Sequence, residues 1–181
     1  MNRPLGEEAA VAAPGLGSVQ AAGACDVALL AELNRLCFHV SEGEGFVGAP
    51  WSARSLAEVL ALPGAFGLLA SEGDQPVGFL LGQSLFEEAE VLSLGVLAGR
   101  RRAGHGRRLL TAATAEAARR GARRLQLEVA EDNRIARTFY EALGFVLAGR
   151  RRNYYLTPDG RTLDALLFAR PLASAAPAAE G

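Results

Sequence analysis

The 181-residue chain contains no lysine; all 19 of its basic residues are arginine. A phosphate loop of the Gly-Lys-Ser/Thr kind is therefore excluded, because its lysine is missing. Against 20 acidic residues the formal net charge is −1, so no global basic field draws the chain to nucleic acid or to a membrane surface. Two cysteines, Cys25 and Cys37, fit neither a disulfide framework nor a zinc spacing and suit a reducing cytosol. No apolar run is long enough to span a bilayer. The first 22 residues are rich in Ala, Gly and Pro but broken by Glu7 and Glu8, and they lack the layout of a secretion signal. What is present is a chain with 50% hydrophobic and 22% charged residues, enough for one domain with a proper core. Residues 25–171 read as that domain, with 1–24 and 172–181 as flexible extensions.

Hydrophobic periodicity predicts the order ααβββαβαββ. Asp26 can cap a helix with Val27, Leu30, Leu33 and Leu36 on its apolar face. A glycine-rich loop, Gly43 to Gly48, leads to Pro50-Trp51, and Ser52 or a Ser55/Glu58 capping box opens a second short helix. Strands are expected over Ala65–Ser71, Val77–Leu85 and Ala89–Leu97, the first two joined by a Gly73-Asp74 hairpin turn. A helix follows Gly104, carrying Leu109, Leu110, Ala113 and Ala117, and ends at Gly121. Arg124–Val129 reads as a strand, Arg134–Leu143 as a helix closed by Gly144, and Phe145–Gly149 and Leu163–Phe168 as strands. The fold class is mixed α/β (α+β), a sheet flanked by helices.

The turn Arg101-Arg102-Ala103-Gly104-His105-Gly106-Arg107-Arg108 carries the chemistry. It lies between an apolar strand and a helix, so backbone N–H groups and the helix N-terminus converge on one spot suited to phosphate or pyrophosphate. Gly104 and Gly106 keep side chains out of a ligand's way. A dinucleotide fingerprint needs a third glycine where Leu109 stands, and a P-loop needs lysine. A coenzyme A pyrophosphate site, R-x-x-G-x-G, fits without a mismatch. The arginines at 100–102 and 107–108 could also form a nucleic-acid patch, but the net charge and the intervening glycines favour a phosphate ligand.

Arg101-x-x-Gly104-x-Gly106 resembles the acyl-CoA signature of the GNAT-type N-acetyltransferases. Leu127-Glu128-Val129, Asn133 and Phe139-Tyr140-Glu141-x-Leu143-Gly144-Phe145 are similar to the second half of that fold. Pro50-Trp51-Ser52, Glu88-Ala89, Arg151-Arg152-Asn153-Tyr154-Tyr155, Asp159-Gly160-Arg161 and Asp164-Ala165 narrow the resemblance to the bacterial ribosomal-protein-alanine N-acetyltransferases. The likeness runs from about Asp26 to Pro171. It implies a GNAT fold with a mixed twisted sheet and acetyl-CoA as cosubstrate, with no metal. It further implies a protein N-terminus, that of a ribosomal protein, as acceptor, and a cytoplasmic setting with no direct nucleic-acid or membrane partner.

The resemblance also assigns residues. Glu128 matches the general base and Tyr140 the general acid. Leu94, Gly95, Val96, Arg102, Ala103, Gly104, His105, Gly106, Arg107 and Asn133 match positions that hold the coenzyme, with Gly95 standing where alanine is common. Trp51, Glu88 and Tyr154 are the candidates for the acceptor groove. Read without the family, Glu128 shares a strand face with Gln126 and would ordinarily be a solvated outward residue. Tyr140 would be a core aromatic, Trp51 plain packing, and His105 a donor of its backbone N–H alone. Two other functional classes stay open at this point. One is a small-molecule amine acetyltransferase on the same fold, and the other is a non-catalytic acyl-CoA-binding module.

Overall fold

The computed structural model describes residues 17–38, 51–157 and 159–173. The glycine-rich loop 43–48, Pro50 and most of both terminal extensions lie outside them. In chain order the elements are β1 (Ser18–Ala22), α1 (Val27–Phe38), α2 (Ala53–Leu60), β2 (Ala65–Glu72), β3 (Gln75–Leu85) and β4 (Glu88–Val96). There follow α3 (His105–Arg119), β5 (Arg124–Ala130), α4 (Arg134–Glu141), β6 (Val146–Leu156) and β7 (Thr162–Pro171). β1 lies in the segment read as an extension. Its short Ser-Val-Gln-Ala-Ala run shows no clear alternation, and it becomes a strand by pairing antiparallel with β2, Ser18 opposite Ser71. The late strands are also longer than their apolar runs, because β6 and β7 pair through polar residues as well.

Local chemistry sets the helix ends. Ser52 Oγ accepts the Ser55 N–H at 3.1 Å, while Glu58 pairs with Arg54 instead, so Ser52 alone caps α2. Asp26 accepts from the Gly23 N–H at 2.9 Å and belongs to a 3₁₀ turn, Ala24–Asp26, that runs straight into α1. Gly121 at φ +93° and Gly144 at φ +81° supply the left-handed residues that stop α3 and α4.

The sheet order is β1-β2-β3-β4-β5-β7-β6. Every neighbouring pair is antiparallel except β4 and β5, which run parallel from Glu88↔Arg124 to Val91↔Leu127 and then part. β5 instead keeps pairing with β7 as far as Ala130↔Ala165. The far ends of β4 and β5 therefore splay.

Two cores fill the faces. One gathers Leu80, Val91, Leu109, Leu110, Leu127, Val129 and Tyr140 on the α3 and α4 side. The other gathers Leu30, Leu33, Cys37, Leu56, Phe79 and Leu81 on the α1 and α2 side. At Leu92 a bulge adds one residue to β4, since Leu81 faces Ser93 and Gly82 faces Val91. The extra residue shifts the alternation, so Leu94 and Val96 join Val91 on the α3 side and Gly95 turns toward α1. There a Cβ would lie 2.7 Å from Phe79 Cε1 and 2.8 Å from Cys37 Cβ. An alanine has no room at this position, because α1 and β3 already fill it. Cys37 is itself buried, and burial pushes its thiol up to about 11. Gly95→Ala should overpack this contact and destabilise the fold by roughly 1–3 kcal/mol, measured as a lower midpoint in denaturant unfolding.

Candidate active site

The glycine turn meets the requirements of an anion site through its backbone. Gly104 sits at φ +87°, a conformation that demands glycine, and its Cβ position has no heavy atom within 4 Å. The first helical hydrogen bond of α3 runs from Arg108 N to Gly104 O at 3.0 Å. The N–H groups of His105, Gly106 and Arg107 therefore precede the ladder at the positive end of α3. Gly106 is small for a different reason. A Cβ there would press on the Phe139 ring of α4 at 3.3 Å, so this glycine lets α3 and α4 approach. Arg102, at φ +67°, and Arg107 are exposed beside the turn. Arg101 points back to the framework, donating to Val96 O at 3.2 Å and Cys37 O at 3.3 Å. The residues fit a pyrophosphate, with backbone donors and flanking guanidinium groups in one place.

Glu128 lies beside the splay. Leu127 and Val129 point into the α3 core, so Glu128 between them faces the α1 and α2 side. It is not a solvated residue: its side chain is 14% exposed and pairs with Arg151 Nε at 3.0 Å. Glu90 of β4 shares this face, diagonal to Glu128 through the pair Glu90↔Gln126. Burial, and then the charge of Glu128, hold the Glu90 carboxyl above its usual range. Tyr155 closes the group. Burial and the Glu128 charge push its phenol up to about 12.

Tyr140 stands on the opposite face of β5, in the same core as Leu127 and Val129. Its ring meets Phe139 and Phe145 edge-on at 5.1 and 5.7 Å, and burial keeps its phenol protonated far above the ordinary tyrosine range. Asn133 caps α4, its Oδ1 accepting the Ala136 N–H at 3.0 Å. Its carbonyl is thus committed, and its amide N–H groups are the atoms left to meet a ligand. The base candidate lies where the β4–β5 pairing ends, and the acid candidate is buried in the core on the other side of β5.

Of the acceptor-groove residues suggested by the sequence, Glu88 lies away from this group, whereas Tyr154 adjoins it through Arg151, whose guanidinium stands 5.3 Å from the Tyr154 ring centre. Glu88 is exposed at the first residue of β4, six residues from Leu94, or roughly 20 Å along the strand. Parallel pairing puts that end of β4 beside Arg124 and away from the splay. Trp51 packs against the α1 and α2 core, and its backbone N–H donates at 2.8 Å to Asn34, whose side chain is buried. Tyr154 is 50% exposed, while its neighbour Tyr155 turns in. A β6 bulge between Arg151 and Tyr155 makes that choice. It holds Asn153 at φ +52°, with the Asn153 N–H donating to Asp164 Oδ1 at 2.9 Å. That bond, and then Arg150, keep Asp164 below the usual carboxylate range.

Glu90, Arg151 and Tyr155 are the site residues that reading the sequence missed. Glu88 and Glu90 alternate identically, and only the position of the splay separates them. Among the described residues no cluster of three or more His, Cys, Asp or Glu side chains could hold a metal ion, and no helix is long and apolar enough to cross a membrane.

A sheet that opens between two parallel central strands, with a phosphate-binding turn at the end of one of them, is the architecture of the GNAT acetyltransferases. Their family model matches residues 28–145, and the chain belongs to that family. It is an acetyl-CoA-dependent acetyltransferase. Among its relatives, the ribosomal protein bS18-alanine N-acetyltransferase of Haemophilus ducreyi is 34% identical over 140 residues, covering 76% of this chain and 92% of that protein. The enzyme of the same name from Escherichia coli K12 is 35% identical over 123 residues, covering 68% and 82%. The crystal structure of the Escherichia coli ribosomal-protein-S18-alanine N-acetyltransferase superposes with a TM-score of 0.76 at 26% identity, over 92% of this chain and 100% of that one.

Burial gives a pH signature. Tyr140 and Tyr155 both titrate above the value of about 10 for an unfolded tyrosine. The stabilisation from their raised values is complete below that pH and is lost as the pH rises through the folded ones. Tyr140 and Tyr155 should contribute little tyrosinate absorbance at about pH 11 while the protein stays folded, as Tyr140→Phe and Tyr155→Phe difference titrations would show. Both should ionise together with alkaline unfolding.

Proposed function

We propose that the protein acetylates the N-terminal α-amine of an alanine, with ribosomal protein bS18 in the cytoplasm as the acceptor. In this reading Glu128 is the base and Tyr140 the acid of a direct transfer. It is supported chiefly by Glu128, which stands where the β4–β5 pairing ends, and by Tyr140, which is buried in the core on the other side of β5. The relatives named above supply the acceptor class.

Acetyl-CoA supplies the acetyl group already activated as a thioester. The N–H groups of His105, Gly106 and Arg107 would hold its pyrophosphate, with Arg102 and Arg107 alongside. The backbone of Leu94, Gly95 and Val96, unpaired with β5, would line its arm together with Asn133. On the other face Glu90 and Glu128 meet the incoming ammonium with two carboxylates against one guanidinium, that of Arg151. An α-amine has a pKa near 8, against about 10.4 for a lysine side chain, so little basicity is needed to free its lone pair at neutral pH. Glu128 takes that proton directly or through a water, and Arg151 fixes where the carboxylate points. Tyr140 keeps its proton across the working range and can deliver it to the departing sulfur. Holding amine and thioester at one opening contributes the rest of the acceleration.

A peptide beginning with alanine should be acetylated at its α-amine, as read by thiol release and mass spectrometry. Its N-terminally blocked twin with an internal lysine should not be. Modification of the lysine, or preferred turnover of a small amine, would overturn the acceptor assignment. Glu128→Gln and Tyr140→Phe should each lower kcat by about 10²-fold or more while the Kd for acetyl-CoA stays within error. Full activity of Glu128→Gln would move the base elsewhere.

A further inference from the structure

The turn assigned to the coenzyme is tied by Arg101 to the carbonyls of Val96 and Cys37, and a second anchor spans its two ends. Arg102 and Gly104 both occupy left-handed conformations, and residues 101–104 are exposed. What borders the turn on the framework side is a carboxylate from another strand. Glu72 is the last residue of β2, two strands removed from β4. Its Oε2 pairs with Arg100 Nε at 3.2 Å, just before the turn. Its Oε1 meets His105 Nε2 at 2.5 Å, just after it. One carboxylate thus holds both ends of residues 101–104.

The histidine is locked from its other side as well. His105 is 2% exposed, and its Nδ1 lies 2.7 Å from Arg108 Nη2. A guanidinium can only donate, so Nδ1 is the acceptor and the ring proton resides on Nε2, aimed at Glu72. Arg108 Nη1 in turn donates to Gly17 O at 2.6 Å, at the start of β1. The groups facing His105 are therefore Glu72 from β2 and Arg108 from its own helix. Arg100 balances the second oxygen of Glu72. Every bond in the chain from Gly17 to Arg100 has one possible direction. None of these side chains belongs to the group around Glu128 or to Tyr140.

We propose that Glu72 is a positioning residue for coenzyme binding. By clamping Arg100 and His105 it holds the N–H groups of His105, Gly106 and Arg107 in the arrangement that receives the pyrophosphate. The proposal rests on the reading of this turn as the coenzyme A site. Glu72 acts through the turn and touches neither the thioester nor the acceptor amine, so its influence is confined to donors that carry a pyrophosphate.

Two variants and two donors test this. Glu72→Ala removes both bonds of the clamp. Glu72→Gln keeps an acceptor for His105 but sets an amide against Arg100, and it preserves the shape of the side chain should the alanine variant fold poorly. By calorimetry the Kd for free coenzyme A should rise about 10-fold or more in Glu72→Ala and less in Glu72→Gln. In kinetics, kcat/KM with acetyl-CoA should fall relative to kcat/KM with S-acetylpantetheine, which carries the same thioester and arm but no pyrophosphate. That ratio should drop by the same factor as the affinity. A Kd within two-fold of wild type in both variants would overturn the proposal, as would equal losses with both donors. Failure of the wild-type protein to bind coenzyme A would instead overturn the reading of the turn, and the clamp with it.

Discussion

The parallel pairing of β4 with β5 lasts from Glu88↔Arg124 to Val91↔Leu127 and then stops, and the rest of the molecule is arranged around that interruption. Two causes act at the same level of the sheet. The Leu92 bulge adds a residue to β4 and bends it. β5 meanwhile stays paired to β7 for three more residues and cannot follow. Backbone hydrogen bonds that would close an ordinary sheet are given up there.

The flanking chemistry makes sense in relation to that interruption. On one face is the helix N-terminus of α3, which α4 approaches closely because Gly106 leaves room for the Phe139 ring. That side is rich in donors and suits an anionic ligand. The other face carries Glu90 and Glu128 with Arg151 between competing demands, a surface that suits a cation. The buried phenol of Tyr140 lies on the donor side, where a leaving sulfur would need a proton. Charge is thus sorted by face, and the overall balance of −1 conceals it.

Residues near one another in the chain were readable without coordinates. Gly121 and Gly144 end helices because a left-handed residue is a local requirement. Ser52 caps α2 through an atom three residues away. The turn around Gly104 shows itself because strand, glycine and helix N-terminus are contiguous. Residues that matter through a distant partner were harder to see. β1 has no pattern of its own and depends on the edge of β2. Glu88 and Glu90 look alike until the splay places one beside Glu128 and the other at the far end of the strand. Tyr154 and Tyr155 are interchangeable until the β6 bulge, tied down by Asp164, turns one in and the other out.

By itself, then, the sequence determined the helices, most of the strands, the glycine stops and the glycine turn before α3, because each depends on torsions and hydrogen bonds spanning a few residues. The tertiary structure decided which carboxylate stands beside Glu128 and which of the two tyrosines turns inward there. It also decided why Gly95 excludes an alanine and how Glu72 reaches across from β2 to His105. Those outcomes depend on strand register and on one-residue bulges, and a single inserted residue reverses which face a side chain occupies.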